Sequence, residues 1–330
     1  MPPEPALLAV QNLCTEFGHG DHAIRAVNNV SFSLAKGEVL GLVGESGSGK
    51  SVTLRSILGL TRRYGRLQGQ VFWQGQDLLL LAERQFQKVR GRDIAMIFQE
   101  PMTSLNPLLT VGVQIMESLK AHTDLTAGER RKRGIEMLDL VGIPSASSRL
   151  GDYPHQFSGG MRQRVMIAIA LAAKPKLLLA DEPTTALDVT IQAQILELIL
   201  SLAKELEMGV VLVTHDLGVV AQTCQNVAVM YAGQIIEYGA VRQVLSAPAH
   251  PYTNGLMRSV PVNIPPRTPL FSIAGSPPSL ANLPTGCSFA PRCQRALPAC
   301  IVERPQIANF DNGRQLACFN PIPAEQGGAA

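Results

Sequence analysis

The order of hydrophobic and polar residues along the chain predicts antiparallel strands first, and then strands that alternate with helices. Residues 7–17 and 26–34 alternate between apolar and polar positions, which is typical of strands with one buried face. Helical spacing of apolar residues predicts helices over about 51–60, 158–173 and 190–207. Short runs that are apolar almost throughout predict strands buried on both faces; they are residues 38–43, 94–98, 176–180 and 210–213. This alternation predicts an α/β fold with a mostly parallel sheet.

A change of composition near residue 245 predicts a second, smaller domain. Helical spacing over about residues 108–172 predicts a helical subdomain inserted into the α/β core. Residues 247–251, Ala-Pro-Ala-His-Pro, break the pattern, and prolines between 261 and 284 predict a linker that crosses a surface. We therefore expect one domain over residues 1–245 and a small cysteine-rich module over residues 246–330.

Charge and hydropathy narrow the class of protein. The 330 residues carry 29 Lys and Arg against 26 Asp and Glu, a net charge of +3, which is too even for a nucleic-acid-binding surface. No stretch approaches the ~20 consecutive apolar residues of a membrane span, and the N-terminus has no secretory signal pattern. We expect a cytosolic protein without a nucleic-acid partner, which would dock on separate subunits if it serves a membrane.

A glycine-rich loop between a predicted strand and a predicted helix indicates phosphate binding. Residues 44–51 read Gly-Glu-Ser-Gly-Ser-Gly-Lys-Ser, the pattern G-x-x-x-x-G-K-[ST]; we term this segment the phosphate loop. Its glycines let successive backbone N–H groups point at one anion, and the following helix adds its positive end. Lys50 is suited to the β- and γ-phosphate oxygens, and the Ser51 hydroxyl is suited to Mg²⁺. The alternative, a glycine turn with an incidental lysine, does not explain the flanking strand and helix.

Polar residues at the ends of predicted strands indicate a hydrolytic site. Asp181 and Glu182 follow an apolar strand, where ligands bind in open α/β sheets. Asp181 is suited to hold Mg²⁺ through water, and Glu182 to polarise the water that attacks the γ-phosphate. Gln99 and His215 also follow strands and could contact Mg²⁺, the attacking water or the γ-phosphate. Taken singly, each of these residues is also compatible with an ordinary exposed or structural role.

A second helix start indicates another phosphate site. Ser158-Gly159-Gly160 opens a predicted helix, whose exposed N–H groups attract an anion. An ordinary serine N-cap explains the tripeptide equally well. Because the chain already has a loop for its own phosphates, however, this second site suggests a nucleotide held by a neighbouring subunit.

These motifs, in this order and spacing, resemble the complete set of an ABC-type ATPase subunit, over roughly residues 7–245. The resemblance implies a P-loop NTPase nucleotide-binding domain, with a mixed sheet, a helical subdomain and an antiparallel β subdomain. It implies catalytic roles for Glu182, His215, Gln99 and Lys50, and Mg²⁺ ligation by Ser51, Gln99 and Asp181. Residues implied to contact ATP are Phe17, Gly44, Glu45, Ser46, Gly47, Ser48, Gly49, Lys50, Ser51, Val52, Gln99, Asp181, Glu182 and His215.

The family also implies a head-to-tail dimer in which each ATP lies between two subunits. Residues implied to contact the partner's ATP are Ser158, Gly159, Gly160, Met161 and Asp188. Two small departures from the family pattern are Met161 in place of glutamine and Phe17, as the adenine stacker, in place of tyrosine. Neither departure removes a chemical group that the reaction needs.

A narrower resemblance links the chain to the ATPase subunits of bacterial dipeptide and oligopeptide importers, the D-type especially. The segments that carry it are residues 99–107, 181–190 and 250–253, together with the C-terminal cysteines. It implies ATP-driven peptide import at the cytoplasmic face of the inner membrane, as a peripheral protein. Implied partners are a second, F-type ATPase subunit in a heterodimer, two membrane permease subunits and, indirectly, a periplasmic binding protein.

The C-terminal cysteines predict a metal site. Cys287, Cys293, Cys300 and Cys318 are separated by five, six and seventeen residues. In a reducing cytosol such a group favours a metal over disulfides, and four thiolates can hold a [4Fe-4S] cluster or Zn²⁺. The module resembles the part that carries a [4Fe-4S] cluster in some family members. Since the paired knuckles typical of zinc sites are absent from the sequence, the cluster is favoured.

Three other functions stay open. The first is an importer of a non-peptide solute, such as glutathione or a metal complex, that works by the same mechanism. The second is a soluble ABC-type ATPase that acts on DNA ends or ribosomes. The third is a regulatory or redox-sensing role of the cysteine module, which could coexist with transport. Only 107 residues separate Lys50 from Ser158, too few for a long coiled-coil insert, and the chain has one ATPase core.

Overall fold

The computed structural model describes residues 6–20, 23–99, 104–184, 187–260 and 271–323. The chain divides into two compact units. The first comprises Met1–Leu34, Val39–Leu79 and Thr214–Ala330, and the second comprises Ala35–Glu38 and Leu80–Val213.

The strands of the described residues are β1 (Leu8–Phe17), β2 (Ile24–Leu34), β3 (Val39–Val43), β4 (Gly65–Trp73), β5 (Gln76–Asp77), β6 (Ile94–Ile97), β7 (Leu177–Asp181), β8 (Gly209–Val213), β9 (Asn226–Tyr231), β10 (Gln234–Ala240), β11 (Ala308–Asn309) and β12 (Gln315–Leu316). The helices are α1 (Lys50–Ile57), α2 (Glu83–Val89), α3 (Val111–His122), α4 (Ala127–Leu140), α5 (Ala146–Arg149), α6 (Gly159–Leu171), α7 (Val189–Glu205), α8 (Leu217–Thr223), α9 (Val241–Ser246), α10 (Pro251–Arg258) and α11 (Pro298–Val302). Single 3₁₀ turns lie at Leu78–Leu80, Pro154–Gln156 and Ala290–Arg292.

The first unit contains an antiparallel sheet in the order β2-β1-β4-β5. A second set of strands runs β11-β12-β10-β9-β3, in which only the β3–β9 pair is parallel. Strand β3 is fully buried and leads through the phosphate loop into α1. The mixture of parallel and antiparallel pairs agrees with the fold expected from the motifs.

The hydrophobic core of the first unit includes residues from both sides of the predicted boundary at residue 245. Val43, Val229 and Tyr231 of the central strands share one buried cluster with Tyr252 and Phe289. The rings of Tyr231 and Phe289 meet edge-on with centroids 5.3 Å apart, and Tyr252 lies 5.4 Å from Phe289. The described residues after 246 therefore help to form the core that supports the phosphate loop.

The second unit is built on the parallel strands β6, β7 and β8, with β7 between the other two. Strands β7 and β8 are buried at every residue, as their continuous apolar runs predict. Helices α3, α4 and α6 pack on one another. The side chains of Thr110, Thr126, Ser158 and Asp188 cap α3, α4, α6 and α7 by accepting hydrogen bonds from backbone N–H groups.

Sequence patterns located the long elements and missed several short ones. The break predicted at residues 247–251 is the start of α10, where Pro251 takes the first helical position and His250 is the N-cap. Helices α8 and α9 were also missed, because short segments carry little periodicity. Residues 261–270 of the predicted linker lie outside the described residues. Within the described residues, no helix combines the length and hydrophobicity needed to cross a membrane.

Candidate functional site

The phosphate loop joins β3 to α1 in the first unit, and its shape depends on glycine. Gly44, Gly47 and Gly49 have φ values of 149°, 78° and 103°, in the region that side chains rarely adopt. A Cβ atom on Gly44 would lie 2.2 Å from the Met230 carbonyl oxygen, and one on Gly49 would lie 2.5 Å from that of Ala26. The loop therefore requires glycine at these two positions for both backbone conformation and space.

Lys50 directs its charge into the loop. Its side chain is buried, and its ammonium donates to the carbonyl oxygens of Gly44 at 2.7 Å and of Glu45 at 2.9 Å. The Ser48 hydroxyl lies 3.4 Å from the same nitrogen. A buried ammonium in a glycine-rich loop before a helix N-terminus is suited to bind an anionic oxygen.

Glu45 has two contacts with residues that no sequence motif predicted. The Glu45 N–H donates to the Tyr252 hydroxyl at 2.8 Å. Arg292 donates to both carboxylate oxygens of Glu45, at 2.7 and 3.1 Å. These partners lie 207 and 247 residues away along the chain, so no local pattern could have found them.

The acidic pair at the end of β7 lies in the second unit. Asp181 is the last residue of the strand and is completely buried. Glu182 has a φ of 46°, which is unusual for a residue with a side chain and marks a strained turn. The Gln99 amide donates to the Glu182 carboxylate at 2.9 Å. The pairing of Ile97 with Ala180 on the neighbouring parallel strands aligns Gln99 with Glu182. The structure therefore brings together two residues whose contact no sequence motif predicted.

Two glutamines hold the turn that follows Glu182. The buried side chain of Gln163, on α6, donates to the Pro183 carbonyl oxygen. Gln192, on α7, donates to the Thr184 carbonyl oxygen at 3.1 Å. Because buried carbonyl groups need donors, these bonds favour one conformation of the turn. The sequence motifs gave no sign of either role.

The Ser-Gly-Gly helix start is closely packed. The Ser158 hydroxyl accepts a hydrogen bond from the Met161 N–H at 3.3 Å, the geometry of an ordinary N-cap. A Cβ atom on Gly160 would lie 2.9 Å from Ile191 of α7, so glycine permits the close approach of the two helices. Asp188 caps α7 by accepting from the Ile191 N–H at 3.0 Å. Ser158 and Asp188 therefore start two helices that lie against each other.

The remaining predicted residues, Phe17 and His215, both belong to the first unit. Phe17 is the last residue of β1 and is half-buried, while His215 is exposed between β8 and α8. The predicted residues thus divide between the units. The first unit holds Phe17, the phosphate loop and His215, and the second holds Gln99, Asp181, Glu182 and the Ser158 helix start.

Comparison with known proteins decides the family. The family model described as "ABC transporter" matches residues 27–185, and "Oligopeptide/dipeptide transporter, C-terminal region" matches residues 236–300. The oligopeptide transport ATP-binding protein OppD of Salmonella typhimurium is 48% identical over 97% of this chain and 96% of its own length. The chain belongs to the ATP-binding proteins of ABC transporters. The dipeptide transport ATP-binding protein DppD of Escherichia coli is 49% identical, over 96% of this chain and 97% of its own.

Solved structures support the same ABC transporter fold. The dimeric MJ0796, a bacterial ABC transporter cassette, matches with a TM-score of 0.64 and 32% identity over 71% of this chain and 99% of its own. The protein cbiO1 from Clostridium perfringens, part of an ABC transporter complex, matches with a TM-score of 0.62 and 27% identity over 73% of this chain and 91% of its own. The predicted P-loop NTPase fold of the ABC type is confirmed.

The predicted metal site is wrong for this ABC transporter protein. Within the described residues, which include all four C-terminal cysteines, no group of three or more His, Cys, Asp or Glu side chains could hold a metal ion. Burial raises the pKa of the Cys287, Cys293 and Cys318 thiols, that of Cys318 to about 11. The names of the relatives refer to peptide transport and to no iron–sulfur role, so the [4Fe-4S] and Zn²⁺ predictions are withdrawn.

Proposed function

We propose that the chain is the ATP-hydrolysing subunit of an importer of dipeptides or oligopeptides. The observation that carries the proposal is the glycine-dependent phosphate loop of the first unit, charged by Lys50. The Gln99–Glu182 contact at the end of a buried strand of the second unit supports it. The peptide substrate is inferred from the OppD and DppD relatives, which match the chain over almost its whole length.

ATP would bind through its phosphates to the phosphate loop. Backbone N–H groups of the loop and of the start of α1, together with the ammonium of Lys50, supply the donors and the positive charge that a triphosphate requires. Phe17 is the aromatic residue assigned to stack on adenine, and His215 is assigned to the γ-phosphate. The proposed contacts of the loop are Gly44, Glu45, Ser46, Gly47, Ser48, Gly49, Lys50, Ser51 and Val52.

The donors assigned to Mg²⁺ fit that ion. The Ser51 hydroxyl, the Gln99 amide oxygen and the Asp181 carboxylate are hard oxygen donors, which Mg²⁺ prefers together with phosphate oxygens and water. Since the Gln99 amide nitrogen donates to Glu182, its oxygen is not used in that contact. When bound, Mg²⁺ neutralises negative charge on the β- and γ-phosphate oxygens.

Glu182 is proposed to position and deprotonate the water that attacks the γ-phosphorus. The bond between the γ-phosphorus and its bridging oxygen breaks, ADP leaves, and the proton of the water passes to the Glu182 carboxylate. The Gln99 amide and the strained turn at Glu182 hold that carboxylate in one orientation. Lys50 and His215 balance charge that develops on the phosphate oxygens.

A partner subunit would complete each site. Ser158, Gly159, Gly160, Met161 and Asp188 are assigned to the ATP of a second, F-type ATPase subunit in a head-to-tail heterodimer; the dimeric MJ0796 supports the dimer. The pair would dock on two membrane permease subunits at the cytoplasmic face of the inner membrane, supplied by a periplasmic binding protein. We retain the division into an ATPase domain, residues 1–245 with a helical subdomain at about 108–172, and a C-terminal region, residues 246–330.

The proposal is tested with Glu182→Gln in the full transporter complex. We expect ATP hydrolysis at the sites that use this residue to fall by at least about a hundredfold, while ATP still binds, because an amide cannot accept the proton. Glu205→Gln, an exposed glutamate at the end of α7, is the matched control and should leave turnover unchanged. Normal hydrolysis by the Glu182 variant at those sites would refute the assignment. Uptake of labelled peptide by the complex is compared with uptake of labelled glutathione and of a labelled metal complex. The comparison identifies the transported solute.

A further inference from the structure

Glu45 is an acidic residue inside a loop that we propose binds a triphosphate, and each of its polar groups has a partner. Its N–H donates to the Tyr252 hydroxyl at 2.8 Å. Its carbonyl oxygen accepts from the Lys50 ammonium at 2.9 Å and from the Ser48 N–H at 3.2 Å. Its carboxylate accepts two hydrogen bonds from Arg292. Two of these partners, Tyr252 and Arg292, come from the C-terminal region.

The Arg292 side chain is held by more than its contact with Glu45. It is 5% exposed, and its Nε donates to the Ala274 carbonyl oxygen at 2.9 Å. One terminal nitrogen also lies 3.3 Å from the Tyr231 hydroxyl, and the guanidinium carbon is 5.9 Å from the centroids of the Tyr231 and Phe289 rings. The hydrogen bond to Glu45 raises the pKa of Arg292. Such a shielded, bidentate pair is far stronger than an exposed ion pair.

Binding of phosphate by Lys50 would make the contacts of Glu45 with Tyr252 and Arg292 more important for the shape of the loop. An ammonium has three donor hydrogens, and in this structure Lys50 directs them at the Gly44 and Glu45 carbonyl oxygens and the Ser48 hydroxyl. To reach phosphate oxygens it must give up at least one of these contacts. The path of the loop at Glu45 then depends on Tyr252 and Arg292.

We propose that Arg292 is a positioning residue for nucleotide binding, through which the C-terminal region acts on the phosphate loop of its own chain. Its guanidinium compensates the Glu45 carboxylate, which would otherwise repel the phosphates, and holds that side chain in place. The inference rests on the proposed function, because it assigns the loop to ATP. It gives the C-terminal region a role in ATP affinity in addition to its role in packing.

A double-mutant cycle that removes the two charges separates this role from a purely structural one. Arg292→Gln leaves the Glu45 carboxylate without compensation, Glu45→Gln removes that carboxylate, and the double variant removes both charges. Arg295→Gln is the matched control, because Arg295 lies in the same segment but donates to Asn320 and Pro321. ATP binding to each full-length protein is measured by isothermal titration calorimetry at low and high salt, and thermal unfolding is recorded in parallel.

We expect Arg292→Gln to raise the Kd for ATP about tenfold, with a smaller effect at high salt because the repulsion is screened. Glu45→Gln should bind ATP at least as tightly as the wild type, and the double variant should return to within about threefold of it. Arg295→Gln should be unchanged. A double variant as weak as Arg292→Gln, or Arg292→Gln with wild-type affinity, would overturn the inference.

Three further outcomes keep the test decisive. If Arg292→Gln does not fold, Glu45→Gln decides alone, since a structural role predicts weaker ATP binding and the charge role predicts equal or tighter binding. If the wild-type chain does not bind ATP, the proposed function fails. If the wild type binds ATP and the variants do not differ from it, only the inference about Arg292 fails.

Discussion

At the scale of single residues, the first unit contains a buried group of titratable side chains around the start of α10. This helix carries Tyr252, which contacts the phosphate loop. His250 accepts a hydrogen bond from the Tyr252 N–H at 3.0 Å and caps the helix that carries Tyr252. The buried Glu237 carboxylate accepts from the N–H groups of Ala249 and His250, and Arg314 lies 3.6 Å away. Burial lowers the pKa of His250 to about 3 and raises that of Glu237. His250 is therefore neutral in the folded protein.

This depressed pKa predicts a loss of stability in mild acid. Below about pH 6.5 the unfolded chain protonates His250 and the folded chain does not, so the free energy of unfolding falls as the pH falls towards 3. Between about pH 7.5 and 5.5 the loss from this residue is about 1.4 kcal/mol. His250→Asn, which retains an N-cap acceptor, should show a pH dependence flatter by that amount in urea unfolding.

Glu237 also titrates, but it is present in both the wild type and the His250→Asn variant. Its raised pKa acts in the opposite sense, since the stability that it contributes is lost as the pH rises through its folded value. It therefore cancels when the two proteins are subtracted. Equal pH dependence of the wild type and His250→Asn would contradict the assignment of a neutral, buried histidine.

At the scale of elements, α6 links the Ser-Gly-Gly helix start to the turn at Glu182. Ser158 caps the helix, and Gln163, on the same helix, donates to the Pro183 carbonyl oxygen. The turn that carries Glu182 is thus fixed by Gln99 on one side and Gln163 on the other. If Ser158 contacts a partner's ATP, as proposed, the same helix connects that nucleotide to the hydrolytic residue.

Gln163→Leu should therefore slow hydrolysis more than it weakens ATP binding. Loss of the donor releases the Pro183 carbonyl, so the Glu182 carboxylate is held less well, and we expect kcat to fall about ten- to a hundredfold with little change in KM. Steady-state ATPase assays of the full complex measure both constants. Gln192→Leu, which acts on Thr184 one residue farther from Glu182, should have a smaller effect.

Thermal unfolding of the same variants provides the check on Gln163. A loss of kcat that follows the loss of stability across the two variants would mean that Gln163 only stabilises the fold. A raised KM with an unchanged kcat would contradict a role at Glu182.

At the scale of the whole molecule, the C-terminal region contributes to the core of the first unit. Phe289 is 4% exposed and packs against Tyr231, Tyr252 and His250. Through Tyr252 and Arg292 the same region contacts Glu45. Folding of the phosphate loop and folding of the C-terminal region are therefore coupled.

Phe289→Ala should destabilise the chain by about 3–5 kcal/mol, because it empties a buried aromatic site. We expect ATP to bind more weakly in the same variant, since Tyr252 and Arg292 lose their support. Denaturant unfolding and calorimetric ATP binding measure the two effects. Phe319→Ala is the control, since that ring is partly exposed and should contribute less to stability. Full stability in Phe289→Ala would contradict the shared core.

Much of the fold and of the site could be predicted from local sequence. The phosphate loop, the strand ending in Asp181 and Glu182, and the serine that caps α6 each depend on residues adjacent in sequence. Short elements such as α8 and α9 were missed because six or seven residues give too little periodicity. The cysteine spacing was misleading, because spacing alone does not establish that four thiols converge on one metal ion.

The sequence by itself determined the order of the motifs, the buried strands and hence the ABC transporter family, because each rests on a local pattern of residue types. Only the tertiary structure decided what surrounds those motifs. It brought Gln99 to Glu182 across two strands, Gln163 to Pro183, and Tyr252 and Arg292 to Glu45. The physical reason is that these contacts join side chains distant in the chain, and their geometry exists only once the sheets and the core have formed.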